Sequence, residues 1–188
     1  ARIFALEPRS GEQLEDLSTR GTDPDPDGDG DPLESEPTPI PFELGEARVA
    51  LIKQVGGIQA QDGGYRVPFS LQLANTGDLS LTNVQVEDDL RSAFPEPVSI
   101  RVIEGPTVSG ALSHGNPSFS AVDANLLSGT ETLAPGGVAL IRFTVFIELN
   151  GAAGPFYNQA VVTGFDPSGE VVVDLSDDGG DGGDGGDG

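Results

Sequence analysis

One stretch of the chain alternates apolar and polar or small side chains with a period of two residues. Over residues 65–74 every second position is apolar: Tyr65, Val67, Phe69, Leu71 and Leu73. Successive side chains of an extended strand point to opposite faces, so this spacing predicts a half-buried β-strand. An amphipathic helix would instead place apolar residues three and four positions apart.

Similar strand patterns recur along the chain, separated by turns rich in Asp, Asn, Pro and Gly. We predict further strands over residues 47–55, 79–90, 98–103, 138–149, 156–165 and 170–175. No amphipathic helix longer than about three turns, the usual length in globular proteins, is evident. Many short strands joined by Gly/Pro turns predict an all-β fold, an immunoglobulin-like antiparallel β-sandwich.

Composition divides the 188 residues into four parts. Residues 1–18 form a strand-like N-terminal segment. Residues 19–39 form a linker of mainly Asp, Pro and Gly, which cannot bury enough apolar surface to fold alone. Residues 40–176 form the β-sandwich body, and residues 177–188 form a low-complexity Asp-Gly-Gly tail. Since the chain starts at Ala1 without Met, we expect a processed product or an excised repeat.

The N-terminal segment repeats the end of the body. Residues 1–8 match residues 160–167 in character, and after the inserted Arg9, residues 10–18 match residues 168–176. The segment is therefore predicted to be a second copy of the last hairpin of the body. Its apolar residues are candidates for pairing with another sheet: Ile3, Phe4, Leu6, Leu14 and Leu17.

An orphan hairpin leaves backbone donors and acceptors exposed and tends to pair with another chain. Two arrangements satisfy it. It is either the remnant of a preceding repeat in a longer polypeptide, or it adds strands to a neighbouring subunit in a head-to-tail filament. From the sequence we favour strand donation slightly over the tandem repeat.

Several segments resemble a known family. Residues 65–77 and 81–88, with Leu133-Ala134-Pro135-Gly136-Gly137 and Asn158-Gln159-Ala160-Val161-Val162, are similar to a conserved-repeat domain of unknown function. That immunoglobulin-like domain occurs in tandem in large bacterial surface proteins and adhesins, and the likeness covers about residues 14–178. The acidic run over residues 22–32 is similar to the linkers between such repeats. The resemblance implies an extracellular, cell-surface or filamentous location.

Charge excludes several partners. Thirty-one acidic residues against nine basic ones give a net charge of −22. Nucleic acids and anionic membranes recruit Lys and Arg, so neither is an expected partner. No apolar run is long enough for membrane insertion. A strongly negative chain does attract divalent cations.

The linker contains the spacing of a calcium-binding loop. Acidic residues stand at positions 1, 3, 5, 9 and 12 of a twelve-residue pattern, with Gly28 at position 6. Prolines exclude the flanking helices of an EF-hand, so we predict a helix-free Ca²⁺ site; the alternative is a solvated acidic spacer. The predicted ligands, including the backbone carbonyl of Asp29, are: Asp23, Asp25, Asp27, Asp29, Asp31 and Glu34. The aspartates of the tail are a weaker candidate for cation binding.

Three polar residues are predicted to point into the core. Lys53, the only lysine, shares a strand face with Leu51; Asp88 shares one with Val86; and Asn158 is placed with apolar neighbours on a third strand. A buried Lys beside a carboxylic acid and an Asn is the arrangement that an intramolecular isopeptide bond requires. The alternatives are a buried Lys53–Asp88 ion pair hydrogen-bonded to Asn158, or a lysine that reaches the rim.

Nothing in the sequence predicts an enzyme. The single histidine, His114, lies in a loop next to Ser113, and a catalytic pair would need an orienting group and an oxyanion hole. We therefore predict a structural subunit or repeat of an extracellular fibre that assembles with copies of itself. The alternative is an adhesin domain that binds surface glycans or host proteins. The structural function is favoured because Trp is absent and both tyrosines, Tyr65 and Tyr157, fall in predicted strands.

Overall fold

A computed structural model describes residues 2–17, 28, 37–41 and 45–179. The chain forms two compact units, Ala1–Leu44 and Gly45–Gly188.

The first unit contains an antiparallel hairpin of β1 (Arg2–Leu6) and β2 (Gln13–Leu17). The turn is closed by two backbone hydrogen bonds, from Glu7 N to Glu12 O at 2.9 Å and from Gly11 N to Glu7 O at 2.8 Å. Gly11 has a φ of 72°, a conformation that glycine adopts without steric cost. The Asp/Pro/Gly linker that follows lies almost entirely outside the described residues.

The second unit is a sandwich of two antiparallel sheets. One sheet has the order β3-β5-β9-β7, with β4 beside β5, and the other has the order β11-β10-β6-β8. The elements are β3 (Val49–Val55), β4 (Gln59–Gln61), β5 (Gly64–Asn75), β6 (Leu81–Asp88), α1 (Leu90–Ala93), β7 (Ser99–Gly110), β8 (Glu131–Leu133), β9 (Val138–Glu148), β10 (Ala160–Phe165) and β11 (Val171–Leu175).

The strand order is that of an immunoglobulin domain. Taking β3, β5, β6, β7, β9, β10 and β11 as strands A to G, the sheets are ABED and GFC, with β8 added beside strand C. The all-β, immunoglobulin-like prediction is confirmed. In the described part of the chain no helix is long and apolar enough to cross a membrane.

The core lies between the two sheets. The alternating residues of β5 face inward, and Leu71 and Leu73 are fully buried. Opposite them, Val84 and Val86 of β6 and Val162 of β10 are also fully buried. Burial of an aliphatic side chain of this size contributes about 1.5–3 kcal/mol, so the period-two pattern identifies the residues that hold the sheets together.

Several predicted strand boundaries are wrong. The strand predicted over 156–165 begins only at Ala160, because it pairs with β6, and β6 ends at Asp88 opposite Ala160. Tyr157 is consequently 81% exposed in a loop rather than in a strand. The strand predicted over 98–103 continues to Gly110 through two irregularities in its pairing with β9.

Candidate functional site

Lys53 lies on the inner face of β3. It alternates with Leu51, and both side chains are buried, while Val55 at the end of the same face is 56% exposed. The Lys53 amide donates to the backbone carbonyl of Asp177 at 2.8 Å, which joins β3 to the segment after β11. The ammonium nitrogen lies 4.9 Å from the centre of the Phe69 ring. The lysine therefore does not reach the rim of the sandwich.

Asp88 meets Lys53 from the opposite sheet. It ends β6, is fully buried, and accepts a hydrogen bond from Lys53 Nζ to Oδ2 at 2.6 Å. The second carboxylate oxygen, Oδ1, makes no hydrogen bond to any described residue. Burial raises the pKa of Asp88, and the nearby ammonium opposes that shift without cancelling it. Burial likewise lowers the pKa of Lys53. The two shifts favour the neutral amine and the neutral acid.

Asn158 completes the cluster from the loop before β10. Its side-chain amide is buried although the residue is not in the strand. It lies close enough to Asp88 to favour the charged carboxylate, yet neither Oδ1 nor Nδ2 makes a hydrogen bond of ordinary geometry within the described ranges. The structure thus brings together Lys53, Asp88 and Asn158, with three buried polar atoms unsatisfied.

A cleft of ≈ 890 Å³ opens beside Lys53 and Asn158. Its walls include aromatic side chains that no sequence pattern associates with this site: Tyr65, Phe69, Phe94 and Phe156. Phe94 and Phe156 pack on one another with ring centroids 5.5 Å apart. Lys53 and Asp88 themselves are 6% and 0% exposed, and this burial is the main cause of both pKa shifts.

The single histidine does have an acidic partner. His114 Nδ1 lies 3.0 Å from Glu131 Oε1 and 3.0 Å from Ser113 Oγ. Glu131 was not identified from the sequence because it stands in β8, a strand of three residues that is too short to show alternation. In a catalytic triad the serine and the acid address different ring nitrogens. Here Ser113 and Glu131 both contact Nδ1, so the serine is not positioned for activation by the histidine.

The predicted calcium ligands lie outside the described residues, as do the tail aspartates beyond Asp178. Within the residues that are described, no group of three or more His, Cys, Asp or Glu side chains is arranged to hold a metal ion. Calcium binding by residues 23–34 stays a prediction.

The apolar residues proposed for strand donation lie in the first hairpin. Ile3, Phe4, Leu6 and Leu14 are all more than half exposed, from 53% for Leu14 to 68% for Leu6. Leu17 ends β2. The hairpin therefore presents apolar side chains to solvent on two short strands.

Comparison with known proteins assigns neither a family nor a function. No protein-family model and no curated protein matches the chain. A structure determined as a target of the Northeast Structural Genomics Consortium is 14% identical with a TM-score of 0.30, over 70% of this chain and 82% of that one. An uncharacterized beta-sandwich protein from Clostridium difficile 630 is 8% identical with a TM-score of 0.20, over 68% and 79%. Likenesses this low assign no function.

Proposed function

We propose that this chain is a building block of an extracellular fibre, in which copies of one sandwich follow each other head to tail. Residues 1–18 supply the closing hairpin of the adjacent copy. The observation that supports this proposal is that two hairpins of the chain, β1–β2 and β10–β11, have the same register.

The register agrees residue for residue. Arg2 pairs with Leu17 as Val161 pairs with Leu175, and the agreement continues to the turn, where Leu6 pairs with Gln13 as Phe165 pairs with Val171. The turns are also closed alike, because a glycine N–H donates to the carbonyl of Glu7 in one and of Asp166 in the other. The sequence repeat is therefore also a repeat in backbone pairing.

The two hairpins differ in what covers them. In the body, β10 pairs with β6, and Val162 is fully buried opposite Val86. Ile3 has the same position in the first hairpin and is 66% exposed. Leu14 stands at the position of Val172, which packs against the core. The first hairpin thus carries apolar side chains where a sandwich would bury them.

One connection between copies is favoured over the other. The edge of β6 that such a hairpin fits is occupied by β10 of the same chain. A hairpin on the same polypeptide has an effective concentration in the millimolar range, so one from a separate subunit would rarely displace it. We therefore favour the tandem repeat over strand donation between subunits. In either case the acidic linker lies between copies, where calcium would screen their mutual repulsion.

A fusion tests this arrangement directly. Residues 45–159 are placed ahead of residue 1, so that residues 1–18 follow a body that lacks its own hairpin. We expect two cooperatively folded sandwiches and hydrogen-exchange protection of residues 2–17. Ile3→Asp should unfold the first sandwich, whereas Phe4→Asp, at the position of the half-exposed Thr163, should have a much smaller effect. An unfolded first sandwich in the parent fusion, or equal effects of the two variants, would contradict the proposal.

Electron microscopy separates the tandem repeat from strand donation. The chain alone should remain monomeric if copies belong to one polypeptide. Filaments that form from the chain and disappear on deletion of residues 1–18 would instead establish donation between subunits. In the native fibre, loss of order at the junctions on adding a calcium chelator would support the predicted site at residues 23–34; unchanged junctions would contradict it.

A ligand-binding adhesin is the second candidate function. It gains support from Tyr157, which is 81% exposed in a loop beside the aromatic cleft, since exposed aromatic side chains are common in recognition surfaces. This function is tested by screening the chain and its Tyr157→Ala variant on a glycan array. If the chain is an adhesin, it should bind one or more glycans, and the variant should lose that binding.

A further inference from the structure

We propose that Lys53 and Asn158 condense to form an intramolecular isopeptide bond across the sandwich, with Asp88 as the proton-transfer group. The bond would join Lys53 in β3 of one sheet to Asn158, two residues before β10 of the other sheet. This proposal does not depend on how copies of the sandwich are connected.

Three groups with complementary chemistry meet in a buried place. Lys53 Nζ lies 2.6 Å from Asp88 Oδ2, and the Asn158 amide lies beside the same carboxyl group. Lys53 and Asn158 also line one cleft. Lys53 and Asp88 are 6% and 0% exposed and the Asn158 amide atoms are buried, so little water reaches the cluster to compete with the amine for the carbonyl carbon.

An unreacted ion pair accounts poorly for the surroundings. It leaves Asp88 Oδ1, Asn158 Oδ1 and Asn158 Nδ2 buried without hydrogen bonds to the described residues. Buried polar atoms without partners are unfavourable, and native structures contain few of them. Condensation removes the problem at every one of these atoms. Nδ2 departs, the new amide N–H donates to one oxygen of Asp88, and the protonated second oxygen donates to the amide carbonyl.

The reaction balances without an oxidant or a cofactor. A proton moves from the Lys53 ammonium to the Asp88 carboxylate, which gives a neutral amine and a neutral acid. The amine nitrogen attacks Cγ of Asn158 while the acid polarises its carbonyl. Asp88 then carries a proton from the attacking nitrogen to Nδ2, the Cγ–Nδ2 bond breaks, and ammonia leaves. Burial lowers the pKa of Lys53 and raises that of Asp88, and both shifts favour the first step.

The position of the bond has a mechanical consequence. Lys53 stands in the first strand of the sandwich and Asn158 just before its last hairpin. Tension applied between the two ends of the body would pass from residue 53 through the bond to residue 158. Residues 54–157, which include most of the core, would carry no force. A cross-link of this kind suits a sandwich that is pulled from both ends.

Intact mass spectrometry of the purified, denatured chain tests the bond. Because condensation of an amine with a carboxamide releases ammonia, the mass should fall about 17 Da below that of the sequence. An unchanged mass would overturn the proposal. Lys53→Met and Asp88→Asn should each restore the full sequence mass for that variant.

A succinimide at Asn150-Gly151 would also release ammonia, so Asn150→Ala serves as the matched control. A mass deficit that persists in Asn150→Ala supports the isopeptide bond, and one that disappears refutes it.

Tryptic mapping of the unmodified chain makes the result independent of whether variants fold. Acylated Lys53 resists trypsin, so peptides 49–66 and 143–188 should be recovered as one cross-linked species. Fragmentation should place the link at Lys53 and Asn158. Cleavage after Lys53 with both peptides recovered separately would exclude the bond.

Discussion

The two hairpins of this chain share a register and a turn but differ in environment. In β10–β11, pairing with β6 buries Ala160 and Val162. In β1–β2, Ile3 has the position of Val162 and is 66% exposed. Local sequence therefore specifies the hairpin, whereas a third strand supplies the burial that stabilises it. An isolated two-stranded hairpin is marginally stable in water, so the first hairpin should gain its stability from another copy of the sandwich.

Matched substitutions at one register position give the largest expected difference between the hairpins. Val162→Asp places a charge between the sheets without a partner and should destabilise the body by at least about 4 kcal/mol, a large part of a typical domain's stability. Ile3→Asp should change the unfolding of the body by less than about 0.5 kcal/mol, as surface substitutions usually do. Chemical denaturation of the two variants measures both effects. Similar destabilisation by the two variants would show that the first hairpin already packs on the body.

A side chain of β11 gives the next largest effect. Asp174 accepts a hydrogen bond from the backbone amide of Leu51 to Oδ2 at 2.7 Å, and Leu51 is buried in β3. Asp174→Ala leaves that amide unsatisfied and should cost about 1–3 kcal/mol. Val173→Ala, at a neighbouring position that is 55% exposed, is the control and should have little effect. Equal free energies of unfolding for the two variants would show that the hydrogen bond does not contribute.

Asp16 has the register position of Asp174 in the first hairpin. In the fusion described above, Asp16→Ala should therefore destabilise the first sandwich by a similar amount. This result would show that the two hairpins match in the hydrogen bond that Asp174 makes to β3 as well as in their apolar contacts.

The sequence predicted the sandwich because several segments show strand patterns and turn residues separate them. β5 spans 12 residues and alternates over most of them, and alternation over such a length has few explanations other than a half-buried strand. β4 and β8 were missed because strands of three residues show no period. The start of β10 was misplaced because apolar Phe156 and Tyr157 continue the strand pattern, whereas the partner strand β6 ends at Asp88, opposite Ala160.

The candidate site was predictable only in part. A lysine on an apolar strand face is visible in the sequence, and so is an aspartate on another. Their contact at 2.6 Å depends on which faces of the two sheets meet, and that is a property of the whole fold. The aromatic residues around Lys53 come from strands and loops far apart in the chain, so no local pattern associates them with the lysine.

The smallest expected effect is in the pKa values of the carboxyl groups in the two turns, Asp166 and Glu7. Asp166 accepts hydrogen bonds from Ser168 Oγ at 2.7 Å and from the backbone amides of Ser168 and Glu170 at 2.8 and 2.9 Å. These bonds, that from the Ser168 hydroxyl foremost, lower the pKa of Asp166 below its ordinary value of 3.8. Glu7 accepts from the backbone amides of Ser10 and Arg9, and bonds from Ser10 lower its pKa below 4.5.

A depressed carboxyl pKa stabilises the folded turn above the pKa of the unfolded chain, and that contribution is lost as pH falls through the folded value. Both turns should therefore keep their hydrogen bonds down to a pH below 3.8 for Asp166 and below 4.5 for Glu7. Carboxyl chemical shifts measured by NMR against pH test this, with Asp166→Asn and Glu7→Gln to assign the signals. If Glu7 titrates at its ordinary value while Asp166 does not, the first hairpin is open in the isolated chain. In the fusion, packing on the preceding body should then lower the pKa of Glu7, so a difference between chain and fusion would measure how far a second copy closes the hairpin.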